Sequence, residues 1–307
     1  MTALLRPSDR PVLGVALMMG FCVAAPLADA AAKILAGTFP VLQLVLARFA
    51  AQVAVLVPLA LATRRTLALS RRGWMLTALR AVLQIAGIFL MISALRVLPL
   101  AEAIAIAFVM PFVLLLLGHV LLGETVGPHR LLACAVGFGG TLLVMQPTFA
   151  EAGWAVLLPL GVAVVFALFI LATRALAREA DPVAMQADAG IVALALLGAG
   201  YALGGGPLVA LAPVGGDWPL LLLMGLLGTL GHLMMTWSLR FAPAATLAPM
   251  QYVEIPVAAL VGLWLFGDWP DPLANLGIAV TVATGLYILW REARAAPEAA
   301  PARAPTP

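Results

Sequence analysis

Long apolar runs, separated by brief segments that carry Pro, Gly or charge, dominate the pattern along this chain. The runs cover 11–33, 40–63, 73–96, 100–123, 128–147, 153–174, 184–204, 217–239, 243–267 and 272–291. Each is close to the about 20 apolar residues an α-helix needs to cross a ~30 Å hydrocarbon layer. The pattern predicts an all-α integral membrane protein with ten transmembrane helices. Turn and charge signals fill the breaks, as in Arg64–Arg72, Val97–Pro99, Gly204–Gly216 and Gly267–Pro272, and connections this short force consecutive helices to run antiparallel. Residues 1–10 precede the first run. The Pro- and Ala-rich stretch 292–307 has no apolar period and is expected to be a disordered tail without a function of its own.

One stretch organises the rest. Between Leu239 and Asp268 an ionisable residue, Glu254, stands in the middle of an apolar span, flanked by Pro249 and Pro256. A charge near the bilayer centre costs at least roughly 2.5–3.5 kcal/mol, so such a residue faces a protein-lined or water-filled interior. Each proline removes a helix hydrogen bond, and that irregularity is tolerated at membrane depth only where protein or water covers it. Sliding the stretch back by 144 positions onto Leu95–Glu124 matches Arg240 with Arg96, Pro243 with Pro99, Gly262 with Gly118 and Gly267 with Gly123, while Glu254 falls opposite Met110. A weaker match sets Gly20, Lys33 and Leu35 against Gly161, Arg174 and Leu176. The expectation is two repeats, 11–147 and 153–291. Five crossings in each would reverse the second relative to the first, giving two inverted five-helix repeats around a midplane site.

Composition sharpens this reading. At 64% hydrophobic and 10% charged residues, with mean hydropathy +1.10, the chain is far from an ordinary soluble one. The formal charge of +3 does not mark a nucleic-acid surface, because the basic residues sit in clusters between apolar runs, where they orient a chain in the bilayer. Arg6, Arg10, Arg64, Arg65, Arg71, Arg72, Arg130, Arg174, Arg178, Arg240, Arg291, Arg294 and Arg303 fall on one side, against Lys33 and Arg96 on the other. That bias predicts both termini in the cytoplasm. Ala28-Asp29-Ala30 resembles a signal-peptide cleavage site, but the acidic Asp29 favours a retained first helix. Cys22 and Cys134 lie within apolar runs and read as small buried residues.

Catalytic signatures are missing from the sequence: there is no His-Glu-x-x-His, Cys-x-x-Cys, Gly-x-Ser-x-Gly or phosphate-binding Gly-rich loop. No enzyme, cofactor or metal is expected. Gly225, Gly228 and Gly231, and the small residues Ala135, Gly139, Gly277, Thr281 and Gly285, read as helix-packing positions. Arg48, too deep to snorkel, should face the interior with Gln43 and Gln52, and Glu254 is one anion it could meet. Arg80 lies closer to an end, where snorkelling is easy, with Gln84 one turn deeper on its face. His232, near the middle of the eighth run, could share a proton with Glu254 or be a structural histidine. Gln251, Tyr252 and Trp237 offer hydrogen-bonding and aromatic surface for a small solute with polar and planar parts. Asp29 and Lys33, one turn apart, either neutralise each other or contact solute or a gate. Glu102 caps the fourth helix or joins an outer gate with Arg96 or Lys33, and Asp188 reads as an acid at the start of the seventh helix.

The ordered set resembles a known family. Lys33 ending the first helix, Ala-Arg-Phe at Arg48, Leu-Pro-Leu-Ala-Glu-Ala from Leu98 to Ala103 and Leu-Gly-Glu ending at Glu124 are similar to the drug/metabolite transporter superfamily, EamA type, over about residues 11 to 291. The second half has no arginine matching Arg48. The resemblance implies a bacterial inner-membrane secondary carrier for a small organic solute, with its site between the halves near the third, fourth, eighth and ninth helices. Its relatives include amino-acid and metabolite exporters and importers of riboflavin and S-adenosylmethionine. The expected partners are a small-molecule substrate and the lipid bilayer, with no nucleic acid; a homodimer is left open. A passive channel would want rings of like polar residues, and a membrane-embedded enzyme a nucleophile with its base; neither pattern is visible. If a proton is coupled to transport, Glu254 is its carrier, unless a nearby Arg48 makes it a fixed charge. Direction follows gradients and is not written in residues.

Overall fold

The computed structural model describes residues 11–63, 70–122, 128–176, 181–203, 217–241, 247 and 250–295. Residues 1–10, Arg64 and Arg65, Glu124, Arg178, 204–216, Pro243, Pro249 and the tail beyond 295 lie outside the described residues. The helices are α1 (Pro11–Leu35), α2 (Val41–Ala62), α3 (Arg71–Leu95), α4 (Leu100–Ala107), α5 (Met110–Leu122), α6 (Pro128–Ala152), α7 (Leu157–Leu176), α8 (Pro182–Leu203), α9 (Trp218–Phe241), α10 (Glu254–Phe266) and α11 (Pro272–Ala295). A 3-10 turn, Gly153–Val156, joins α6 to α7, and there is no strand among the described residues. α6 continues through Pro147, where the sequence suggested an end, and α11 runs to Ala295, so the tail expected from 292 starts as helix.

Helix starts follow local chemistry. Ser70 accepts a hydrogen bond from the Gly73 amide at 2.9 Å, Asp181 from Val183 at 2.9 Å, and Asp271 from Leu273 at 2.7 Å and Ala274 at 2.9 Å. These side chains satisfy amides that a helix N-terminus leaves without partners. Asp188 is not such a residue: it lies well inside α8, 2% exposed, and its Oδ2 has no partner among the described residues.

Two spans are broken. The fourth run is not one helix but α4 and α5, separated by a turn at Phe108–Val109, and a matching turn at Tyr252–Val253 precedes α10. Val109 donates to the Ile106 carbonyl at 3.2 Å and Val253 to the Met250 carbonyl at 3.0 Å, so the same bond recurs 144 residues on. The cause is local. Pro111 has no amide to give the Ala107 carbonyl, and Pro256 none for Tyr252, so each helix unwinds one turn ahead of its proline. The two turns meet, with the rings of Phe108 and Tyr252 5.4 Å apart between centroids.

α1 packs along α9, α3 along α7, α2 against α8 and α9, and α6 along α11. Small residues allow the last contact: a Cβ at Gly140 would meet Thr281 and Val280, one at Gly277 would meet the Gly140 carbonyl, and Thr281 Oγ1 donates to the Gly137 carbonyl at 3.4 Å. Gly139 faces open space, so the seam on α6 runs through Gly137 and Gly140 rather than Ala135 and Gly139. Among the described residues six helical stretches are long and apolar enough to cross a membrane. Large apolar side chains such as Val12, Val120, Leu132 and Leu260 are exposed on the outside, as a lipid-facing surface requires. Exposed Trp74, Trp154, Trp218, Trp269 and Trp290 sit beside helix ends, the place of interfacial tryptophans.

Candidate functional site

Between the buried cluster of α4, α6, α10 and α11 and that of α1, α2, α3 and α9 lies a cavity of about 150 Å³. Solute pockets run from ~300 to 1,000 Å³, so in this conformation the cavity is narrower than an open solute site. Most of the wall is apolar: Phe21 and Ala25 of α1, Gly87, Ile88 and Met91 of α3, Ile104 of α4, Phe108 at the first break, Val162 and Phe166 of α7, and Met235 of α9. The polar groups are few and come from six elements: Asp29, Arg48, Gln84, His232, Gln251 and Glu254. Gln251 and Glu254 flank the second break, so the unwound turn lines the cavity.

Charge pairing differs from the sequence expectation. Arg48 reaches Asp29, Nη1 to Oδ1 3.5 Å, not Glu254. Asp29 in turn is not neutralised by Lys33, because Arg48 takes Asp29 while Lys33 is held by Asp268 and the Leu98 carbonyl. The Glu254 carboxylate has no hydrogen-bond or ion-pair partner among the described residues. Gly228 explains how the Arg48 guanidinium is seated: a Cβ there would fall 2.7 Å from Nε and 2.9 Å from Cζ. The glycine thus lets the guanidinium lie flat on the α9 backbone, beyond the packing role its spacing suggested.

Lys33 ties three elements together at the end of α1. Its Nζ meets Asp268 Oδ2 at 3.0 Å, donates to the Leu98 carbonyl at 3.0 Å and stands 4.7 Å from the centre of the Phe266 ring. Gly267, with φ +74°, ends α10 in the left-handed conformation and delivers Asp268 to this contact. Glu102 is buried and takes a hydrogen bond from Thr148 of α6. It pairs with neither Arg96 nor Lys33, and Pro99 rather than Glu102 occupies the cap position.

The remaining candidates lie outside the cavity wall. Arg80 does not snorkel: it is 2% exposed, donates to Thr173 Oγ1 at 2.9 Å and the Met185 carbonyl at 3.3 Å, and covers the Phe169 ring at 4.9 Å, tying α3 to α7 and α8. Tyr252 is buried in the second break, and Trp237 packs with Leu56, Val183 and Leu233. Sequence reasoning missed Gln186, Thr148, Asp268 and the ring of Phe108. Asp268, directly after a helix-ending glycine, was the one with a visible signal. Both cysteines are free, and among the described residues no group of three His, Cys, Asp or Glu is placed to hold a metal.

A polytopic helical protein with lipid-facing apolar surface around a polar-studded internal cavity defines a membrane transporter for small molecules. The chain belongs to the EamA-like transporter family, whose model matches it twice, at residues 12–146 and 153–290. Among its relatives are a riboflavin transporter of Rhizobium johnstonii, 33% identical over 70% of this chain and 70% of that one, and a riboflavin transporter of Vibrio cholerae, 28% identical over 83% and 85%. An S-adenosylmethionine uptake transporter of Rickettsia felis is 23% identical over 71% and 72%. A protein crystal structure at 21% identity superposes with TM-score 0.62, covering 91% of this chain and 98% of that one, and shares the fold. The chain is thus a multi-pass membrane protein that transports small metabolites, and family and relatives indicate a transporter rather than an enzyme.

Proposed function

We propose that this protein is a secondary active carrier that moves a flavin-like metabolite across the bacterial inner membrane by alternating access. The observation that carries the reading is the cavity wall. Phe21, Phe108 and Phe166 bring aromatic rings to the wall for a planar solute, and Gln84, Gln251, Arg48 and Glu254 bring polar groups for its edge and hydroxyls. The riboflavin transporters at 33% and 28% identity support this solute class. In this reading the chain makes ten crossings as two inverted five-helix halves, supported by the 144-residue offset between the two turns and by the double family match. Both termini are cytoplasmic, on the arginine bias. Lys33 with Asp268 gates one end, Glu102 with Thr148 steadies it, and Glu254, whose carboxylate has no partner among the described residues, is the candidate for a coupled cation or proton.

A second reading takes a sulfonium solute like S-adenosylmethionine, because the cavity holds two carboxylates, Asp29 and Glu254, against one arginine. Uptake of labelled riboflavin by vesicles containing the purified carrier decides. Saturable uptake suppressed by excess unlabelled riboflavin and untouched by S-adenosylmethionine is expected. Uptake of labelled S-adenosylmethionine with none of riboflavin would select the second reading.

A further inference from the structure

We infer that Gln84 presents a fixed hydrogen-bond acceptor to the cavity, and that the carrier selects its solute there by a ring N–H; this rests on the cavity being the flavin site. The orientation of two carboxamides, Gln52 and Gln84, follows from one unambiguous bond. Gln52 Nε2 lies 2.9 Å from the Gln186 backbone carbonyl, which can only accept, so the Gln52 nitrogen points to α8 and its oxygen toward α3. Gln84 must then offer its NH2 to that oxygen, Nε2 to Oε1 3.5 Å. The far end is held as well, since Gln186 Nε2 donates to the His232 carbonyl at 3.3 Å and to Thr236 Oγ1 at 3.2 Å. A flip of Gln84 alone would set two oxygens against each other.

What is left of Gln84 is one N–H and the carbonyl Oε1, the latter without a partner among the described residues, on a side chain that lines the cavity. Its neighbours on that wall, Gly87, Ile88 and Met91, bring no polar side-chain atom apart from the methionine sulfur, a weak acceptor. A solute edge seated against α3 therefore has to donate a proton to Oε1 or leave an acceptor desolvated and unpaired. Oxidised flavin carries a single ring N–H, the imide at N3. Sites built to pair a solute N–H or O–H discriminate strongly against analogues that lack it, because the buried protein group is then stranded.

The test is binding of riboflavin and of 3-methylriboflavin to the purified full-length carrier in detergent, read by flavin fluorescence. Methylation is expected to weaken binding by 10-fold or more in the wild type. Gln84→Leu should erase that difference by weakening riboflavin alone. Should Gln84→Leu fail to fold, the wild-type ratio alone decides. Equal binding of the two flavins by the wild type overturns the Gln84 assignment and leaves the flavin reading standing. No binding of either flavin overturns both.

Discussion

Arg48 and Asp29 form the one ion pair that lines the cavity among the described residues, and their contact is long enough, at 3.5 Å, to be remade around a solute. Both charges are nonetheless committed: removing one member of a buried pair strands the other and costs about 3–5 kcal/mol, while removing both is far milder. Arg48→Gln should therefore lower the melting temperature sharply in detergent, and Asp29→Asn combined with Arg48→Gln should recover most of it. Transport should stay lost in both, because the guanidinium is a cavity group. If the double variant regains transport along with stability, the pair is structural only. At this scale the sequence was legible wherever a polar residue was out of place: Glu254, Arg48, Gln84, Gln251 and His232 each interrupt an apolar run, and all line the cavity. Their partners were not legible. Whether Glu254 or Asp29 meets Arg48 depends on helix rotation and on Gly228 of a distant helix, neither of which an apolar pattern records. Arg80 shows the limit from the other side, since snorkelling was open to it until Thr173 and Met185 supplied partners inside.

Broken helices are what convert this bundle into a site. Pro111 and Pro256 each strip a hydrogen bond from the turn before them, and the freed turns bring Phe108 and Tyr252 together, with Gln251 and Glu254 beside them. The second break was readable from the prolines around Glu254. The first was not, because Pro111 sits in a run so apolar that length alone suggested one helix. Lys33 gives the element scale its own prediction. It joins the end of α1, the α3–α4 connection and the α10–α11 connection through Leu98 and Asp268, so opening that end has to break a 3.0 Å ion pair. With a single cysteine introduced at Leu98 in a variant lacking Cys22 and Cys134, Lys33→Asp should speed labelling by a membrane-impermeant maleimide several-fold. The charge swap Lys33→Asp with Asp268→Lys should slow it again. Labelling indifferent to all three substitutions would remove Lys33 from the gate.

For the whole molecule, the apolar runs were enough to indicate a polytopic helical bundle, and the ordered small motifs its family, because membrane-spanning helices announce themselves by length and composition. The cavity was not foreseeable in shape, since it exists only where α1, α3, α4, α7 and α9 leave space between them. Orientation rests on the arginines, and reporter fusions after Gly205 and after Arg294 should read outside and inside respectively; the opposite pair of readings would undo both the topology and the inverted arrangement. Alternating access itself is tested most directly by counterflow. Vesicles holding the purified carrier are preloaded with unlabelled riboflavin and diluted into a trace of labelled riboflavin, with no ion gradient. A carrier with one exchangeable site accumulates label transiently above the outside concentration, and Glu254→Gln should keep that exchange while losing accumulation driven by an imposed pH gradient. Label that only equilibrates, at a rate proportional to concentration and without overshoot, would mean a passive pore and contradict the account.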